Sequence, residues 1–144
     1  MIAIKQVRTQ QELEAVMDIQ LSVFTEEQGI PESLCLEGND EASHVLALDE
    51  GKPVATARLI CRPDGDSELA RVAVLPSHRQ AGIGRALVLA LEEIAVQCGV
   101  RSIVLHPHVH LESFYARLGY ARLTDEVEVV GGHELIAMSR IIES

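Results

Sequence analysis

Hydrophobic and polar positions along the chain switch between the period of a strand and the period of a helix. Residues 2–7 alternate enough to form a strand, and residues 9–12 have the form of a capping box. The box is expected to open a helix whose apolar stripe runs from Leu13 to Phe24 and which ends at Gly29-Ile30-Pro31. A short acidic loop or helical turn follows.

Three strands are predicted next, separated by two tight turns. They span His44–Asp49, Val54–Cys61 and Leu69–Leu75, with turns at 50–53 and 63–66. The third strand is apolar on both sides except at Arg71, which is typical of a strand that is buried on both faces.

The second half of the chain carries the clearest helical pattern. An apolar stripe at helical spacing predicts a helix over Gly82–Cys98, and Gly99 lies where such a helix ends. The remaining predicted elements are a strand over Ser102–His106, a short helix over His110–Leu118 that Gly119 stops, and a closing hairpin of Glu126–Val130, Gly131-Gly132 and Glu134–Ile142. This order predicts an α/β (α+β) class with a mixed sheet and helices on its faces.

Size and charge narrow the classes of protein that fit this pattern. A chain of 144 residues with 47% hydrophobic and 24% charged residues suits one globular domain over residues 1–144. The net charge of 12 − 22 = −10 argues against nucleic-acid binding. No apolar run approaches the ~20 residues of a membrane span. The first residues are too mixed for a signal peptide, so a cytoplasmic location is expected.

The negative charge is concentrated in the first third of the chain. Residues 9–51 contain 11 acidic residues and no Lys or Arg, which indicates either solvated helix faces or an acidic wall that attracts a cationic substrate. The three cysteines, Cys35, Cys61 and Cys98, lack CxxC spacing. They are interpreted as small hydrophobic residues rather than as a disulfide framework or a zinc site.

One stretch carries an anion-binding signal. The buried strand runs into a loop with the pattern Arg79-x-x-Gly82-x-Gly84, and that loop opens the long helix. Glycines let the backbone approach a bulky ligand, and the first turn of a helix offers free N–H groups and a positive dipole end. The same pattern also suits a glycine-rich junction that binds nothing. It fits neither a P-loop nor a dinucleotide fingerprint.

The pattern resembles the acyl-CoA pyrophosphate loop of the GNAT superfamily of N-acetyltransferases. The segment Phe114-Tyr115-Ala116-Arg117-Leu118-Gly119-Tyr120 is similar to the F-Y-x-x-x-G-F/Y segment that follows the family's fifth strand. Val23-Phe24-x-x-Glu27-Gln28 resembles a branch of small stand-alone members, which often has Arg where this chain has Gln20. The resemblance implies a mostly antiparallel central sheet with helices on both faces, splayed at its fourth and fifth strands.

The resemblance also implies an activity and a site. The activity is acetyl-CoA-dependent direct transfer of an acetyl group, in a ternary complex, to a primary amine of a small molecule. The acidic first third of the chain separately favours a cationic acceptor. Tyr115 matches the general acid that protonates the departing CoA sulfur. The diphosphate would lie on backbone N–H groups of the loop, and the pantetheine arm along the strand edge. The implied cofactor-binding residues are Val72, Ala73, Val74, Arg79, Gln80, Ala81, Gly82, Ile83, Gly84 and Arg85.

The general base and the acceptor site stay open at this level. Candidate bases are Glu27, Glu68, His44, His108 and His110, and candidate acceptor-binding residues are Glu27, Gln28, His108 and His110. The run His106-Pro107-His108-Val109-His110 has three further interpretations: lining of the acceptor pocket, plain structure, or a metal site. No metal is expected.

Two other functions and an assembly remain compatible with the sequence. One function is a non-catalytic module that binds acyl-CoA, and the other is a metal-dependent enzyme built on the histidine run. The apolar segment Glu126–Ile142 allows a homodimer.

Overall fold

A computed structural model describes residues 1–79 and 81–142. The strands are β1 (Ile2–Gln6), β2 (Ser43–Asp49), β3 (Lys52–Cys61), β4 (Asp66–Val74), β5 (Ser102–Leu105), β6 (Ala121–Arg122), β7 (Glu128–Val130), β8 (His133–Leu135) and β9 (Met138–Ile141). The helices are α1 (Gln10–Gln20), which continues as a π-helix over Leu21–Glu27, then α2 (Glu32–Leu36), α3 (Ile83–Cys98) and α4 (Glu112–Arg117). Short 3₁₀ turns occupy Asn39–Glu41, Pro76–His78 and Val109–Leu111.

Seven of these strands form one sheet in the order β1-β2-β3-β4-β5-β9-β6, and β7 pairs with β8 in a separate ribbon. Every neighbouring pair in the large sheet is antiparallel except β4 and β5, which run parallel. The predicted mixed, mostly antiparallel sheet is therefore confirmed.

Helices cover both faces of the sheet. Since successive residues of a strand point to opposite faces, one strand contributes to the core on each side. On β2, Val45 and Ala47 belong to the core that contains Leu87 and Leu91 of α3. Leu46, between them, packs instead with Val16 of α1.

The capping box predicted at the start of α1 is present. The Thr9 hydroxyl accepts a hydrogen bond from the Glu12 backbone N–H at 3.1 Å, and the Glu12 carboxylate accepts one from the Thr9 N–H at 3.0 Å. The predicted apolar stripe is confirmed at Val16 and Ile19, which are buried, whereas its last part, from Leu21, lies in the π-helix.

The predicted closing hairpin is wrong in part. The turn at Gly131-Gly132 does connect two strands, but β7 and β8 stay outside the main sheet. The single strand expected over Glu134–Ile142 is interrupted after Leu135, where the Ile136 N–H donates to the Pro107 carbonyl and leaves the hairpin ladder. The chain then inserts β9 between β5 and β6, which buries Ile136 and Met138. The two-residue strand β6 was too short to show a periodic pattern.

Within residues 1–79 and 81–142, no helix is long and apolar enough to cross a membrane. Cys35 is buried, Cys61 is half-buried and Cys98 is exposed, and all three are free thiols. Several apolar side chains of the late segment are exposed, namely Leu123, Val127, Val129, Val130 and Ile141. The homodimer remains a prediction.

Candidate functional site

The parallel strands β4 and β5 separate soon after they begin to pair. Their ladder contains three residue pairs, from Asp66↔Ser102 to Glu68↔Val104, whereas β4 stays paired with β3 as far as Val74. The β5-facing edge of β4 from Leu69 to Val74 therefore has no strand partner among the described residues. This is the predicted splay, and Val72, Ala73 and Val74 lie along it.

A bulge interrupts β4 in the middle of this free edge. Thr56 pairs with Ala73 and Arg58 pairs with Ala70, so two residues of β4, Arg71 and Val72, stand opposite one residue of β3. Arg71 has φ 55°, a left-handed conformation that is uncommon for a residue with a side chain. Bulges re-aim backbone groups out of the ladder and are frequent next to active sites.

Hydrogen bonds from its side chain hold Arg71 in this conformation. The guanidinium donates from Nε to the Cys35 carbonyl and from Nη2 to the Leu34 carbonyl, both at 3.0 Å. These bonds tie the bulge to α2. Arg71, which interrupted the apolar pattern of its strand, thus anchors the bulge to a neighbouring element.

The glycine loop after β4 places a helix N-terminus beside the gap. Gly82 has φ +76° and precedes α3, whose first backbone N–H groups have no partner within the helix. Ile83 is buried and anchors the turn in the core, while Ala81, Gly82 and Arg85 are exposed. Gly84 lies in the first turn, where an added Cβ would lie 3.7 Å from Phe114 Cζ, an ordinary van der Waals contact. Gln80 lies outside the described residues.

Arg79 binds two protein groups at the entrance of this loop. Its Nε donates to the Val74 carbonyl at 2.9 Å, and its Nη2 donates to Glu27 Oε1 at 2.7 Å. The arginine therefore joins the end of β4 to the π-helix. Glu27, predicted as an acceptor ligand or base, is here the ion-pair partner of Arg79.

Tyr115 lies on α4 with 5% of its surface exposed. Its ring packs edge to face against Phe114, with ring centroids 4.9 Å apart. Burial raises the pKa of Tyr115 to about 12, so the phenol keeps its proton at neutral pH. Within the described ranges, its hydroxyl makes no hydrogen bond to the protein. A protonated, uncommitted phenol can serve as a proton donor.

The three histidines of the run 106–110 lie in two different surroundings: His108 and His110 lie together near His133, and His106 lies near Glu68. His108 Nε2 lies 3.2 Å from His133 Nδ1, and His133 Nε2 lies 3.2 Å from the Gln28 carbonyl oxygen. The His110 ring is 5.5 Å from the His108 ring, centroid to centroid. His106 instead has its Nδ1 4.0 Å from Glu68 Oε2. In the part of the chain that the structure describes, no three His, Cys, Asp or Glu side chains are grouped to hold a metal.

His133 was missed by the sequence reasoning. It follows the Gly131-Gly132 turn, 25 positions after His108 in the chain, and no local pattern joins the two. Gln28, by contrast, was predicted and does meet this group, through its backbone carbonyl. The structure thus brings together three of the four predicted acceptor residues: Gln28, His108 and His110.

His44 was a candidate base, but it belongs to a buried polar network. Its Nε2 donates to the Asn39 carbonyl at 3.0 Å, and burial lowers the pKa of the imidazole. Arg58 donates to the Asn39 side chain at 2.8 Å and to the Glu37 carbonyl at 2.6 Å. Gln20 and Asn39 exchange two amide hydrogen bonds, of 2.7 and 3.2 Å. This network fixes the segment between α2 and β2, and it leaves His44 no access to a substrate.

A surface cleft of ≈ 390 Å³ lies where the chain leaves β5 at His106. The rest of its lining comes from the open end of the β7–β8 ribbon, where β7 begins and β8 ends, and includes Glu126 and Glu128. The described residues of the glycine loop, 79 and 81–85, do not contribute to it.

Comparison with known proteins agrees with this architecture. The sequence pattern of the Acetyltransferase (GNAT) family matches residues 13–120. A provisionally named acetyltransferase of Bacillus subtilis (strain 168) is 34% identical over 133 residues, which are 89% of this chain and 89% of that protein. The chain belongs to the GNAT acetyltransferase family.

Solved structures show the same fold. An acyl-CoA N-acyltransferase from Pseudomonas aeruginosa superposes with a TM-score of 0.86 at 25% identity, over 97% of this chain and 99% of that one. An aminoglycoside 6′-N-acetyltransferase complexed with coenzyme A superposes with a TM-score of 0.79 at 20% identity, over 99% and 98% of the two chains.

Proposed function

We propose that this protein is an acetyl-CoA-dependent N-acetyltransferase that moves the acetyl group directly to a primary amine of a small molecule. The observation that carries the proposal is the continuous path from the unpaired edge of β4, through the glycine loop, to the N-terminus of α3. Family membership and the likeness to a neighbour complexed with coenzyme A support it.

The residues along this path fit the thioester substrate. The pantetheine arm contains amide groups, which would pair with the free backbone of β4 around Val72–Val74 as an added strand does. The diphosphate is an anion, and the first backbone N–H groups of α3, which have no partner within the helix, suit it together with the helix dipole. The exposed Arg85 adds positive charge beside them.

Two groups of the chain would act on the reacting atoms. A backbone N–H near the β4 bulge can donate to the thioester carbonyl oxygen, where negative charge grows as the amine attacks. Tyr115 would give its phenolic proton to the leaving sulfur. The pKa of Tyr115, raised to about 12 by burial, keeps that proton available at neutral pH.

The first experiment separates binding from catalysis. A thermal-shift titration with acetyl-CoA, free CoA and ATP should raise the melting temperature for the two CoA species only, since a ligand of the folded state stabilises it by mass action. Thiol release from acetyl-CoA is then followed with spermidine, glucosamine and lysine methyl ester as primary amines.

Each result has one meaning. Stabilisation by CoA together with amine-dependent thiol release supports the transferase. Stabilisation without release under any of these amines favours the non-catalytic acyl-CoA-binding module. No shift at millimolar CoA overturns the cofactor site.

A further inference from the structure

A chain of contacts spans the open end of the gap between β4 and β5. It begins at Val74, the last residue of β4, whose carbonyl binds Arg79, and Arg79 in turn binds Glu27. The next residue, Gln28, binds His133 through its carbonyl, and His133 binds His108, three residues after the end of β5. His108 therefore lies on the rim of the gap in which the thioester is proposed to bind.

The hydrogen bonds along this chain decide which ring nitrogens carry protons. A carbonyl oxygen only accepts, so His133 Nε2 must donate to Gln28 at 3.2 Å. In a neutral imidazole the other nitrogen is then an acceptor, so His133 Nδ1 accepts from His108 Nε2–H. A neutral His108 therefore carries its free lone pair on Nδ1. Among the described residues, this Nδ1 atom has no hydrogen-bond partner.

We propose that His108 Nδ1 is the general base of the transfer reaction and that His133, fixed on the Gln28 carbonyl, is the positioning residue that holds its tautomer. This inference rests on the proposed transferase function and names the proton acceptor that the function requires.

The proton balance closes with these two groups and Tyr115. The amine nitrogen attacks the thioester carbon, the C–N bond forms, and the nitrogen gives one proton to His108 Nδ1. The C–S bond breaks, and the sulfur receives a proton from Tyr115. The imidazolium then loses its proton to solvent and the phenolate regains one, so the products are the amide and free CoA.

Other candidate bases are placed less well. The Glu27 carboxylate is already occupied, because its Oε1 accepts a hydrogen bond from Arg79 Nη2 at 2.7 Å. Glu68 lies in the part of β4 that is still paired with β5, facing His106. His44 is buried in its own network.

The charge environment suits a base at neutral pH. Burial, then His133 and His110, lower the pKa of His108, so the imidazole is neutral at pH 7. Two titratable groups affect this pKa. They are His133 of β8 and His110 of the 3₁₀ turn at Val109–Leu111.

The first test needs no acceptor. Long-range ¹H–¹⁵N spectra of the imidazoles at pH 7.5 should show both His133 and His108 as the Nε2–H tautomer, with Nδ1 unprotonated in each ring. A proton on His108 Nδ1 overturns the proposal. Calorimetry should give His108→Gln the CoA affinity of the wild type, because the hydrogen-bond partner of His108 is His133 and not a described residue of the diphosphate loop.

The second test measures kcat/KM for thiol release with the amine that reacts fastest among spermidine, glucosamine and lysine methyl ester. We expect His108→Gln to lose about 10²-fold or more, as a general base does. His78→Gln, at a histidine that pairs with Asp49 and lies outside the hydrogen-bonded chain, is the control for the same substitution and should retain activity. His133→Leu should lower kcat/KM and should leave His108 as a mixture of its Nδ1–H and Nε2–H tautomers. His133→Gln still offers an acceptor oxygen to His108 Nε2–H, so it should recover both the activity and the Nε2–H tautomer.

Failure of this inference is distinguishable from failure of the proposed function. A wild-type enzyme that releases thiol with an amine, combined with an equally active His108→Gln, overturns only the base. A wild-type protein that releases none removes the transferase and the base together.

Discussion

The rings of Tyr115 and Tyr120 pack edge to face with centroids 6.0 Å apart, yet their hydroxyls differ. Tyr120 donates to Glu92 Oε2 at 2.9 Å, whereas the Tyr115 hydroxyl has no partner in the described part of the protein. Of two tyrosines in one aromatic cluster, one is committed to structure and the other is free to donate its proton.

This difference predicts opposite results for two identical substitutions. Tyr115→Phe should lower thiol release with a reactive amine by about 10²-fold, because a general acid contributes that much, and should leave stability and CoA affinity unchanged. Tyr120→Phe should cost about 1 kcal/mol of stability through its lost hydrogen bond and retain activity. Chemical denaturation and kcat/KM measure the two effects, and equal activity of both variants would contradict the assignment.

The two ends of α3 offer a matched pair for the diphosphate site. Gly82 and Gly99 both have φ +76°, and a Cβ at either position would meet no described residue within 4 Å. Alanine at either should cost about 1–2 kcal/mol, because an L-residue is strained in the left-handed region. Only Gly82→Ala should also weaken CoA binding, since its Cβ would occupy the space where the diphosphate is proposed to approach. Calorimetry with CoA tests this, and a similar loss in Gly99→Ala would refute the placement.

The buried network around His44 predicts a pH dependence of stability. Burial lowers the pKa of His44 below 6.5, and Arg58 lowers it further, so the unfolded chain binds the proton more readily than the folded one. The free energy of unfolding should therefore fall as pH drops below about 6.5. Urea denaturation between pH 7.5 and 5.5 measures this slope, which should be smaller in His44→Gln. If the slope in His44→Gln equalled that of the wild type, a group other than His44 would cause the pH dependence.

Arg58 should be sensitive to a change that conserves its charge. It is 4% exposed and donates from Nη1 to Glu37 and Asn39. Arg58→Lys should cost about 2 kcal/mol, because an ammonium cannot reproduce both bonds from the same position. Hydrogen exchange should rise in the segment between α2 and β2. Arg62→Lys, at an exposed position, is the control and should be close to neutral.

Much of the fold follows from short-range patterns. The capping box at Thr9, the stripe of α3 and the glycine after it each involve residues within about one turn, so their hydrogen bonds and packing faces can be predicted locally. The loop at Arg79–Gly84 belongs to the same class, because a strand, a glycine turn and a helix N-terminus follow one another directly in the chain.

The contacts that complete the candidate site depend on strand order and register. His133 meets His108 because the chain leaves the β7–β8 hairpin at Ile136 to insert β9 beside β5. Arg79 meets Glu27 across 52 positions of sequence. The sequence by itself determined the glycine loop and the elements up to α4, since these depend on neighbours in the chain, but not the strands that follow α4. Only the tertiary structure decided the gap between β4 and β5 and the partners of Glu27 and His108, because packing of distant segments sets them.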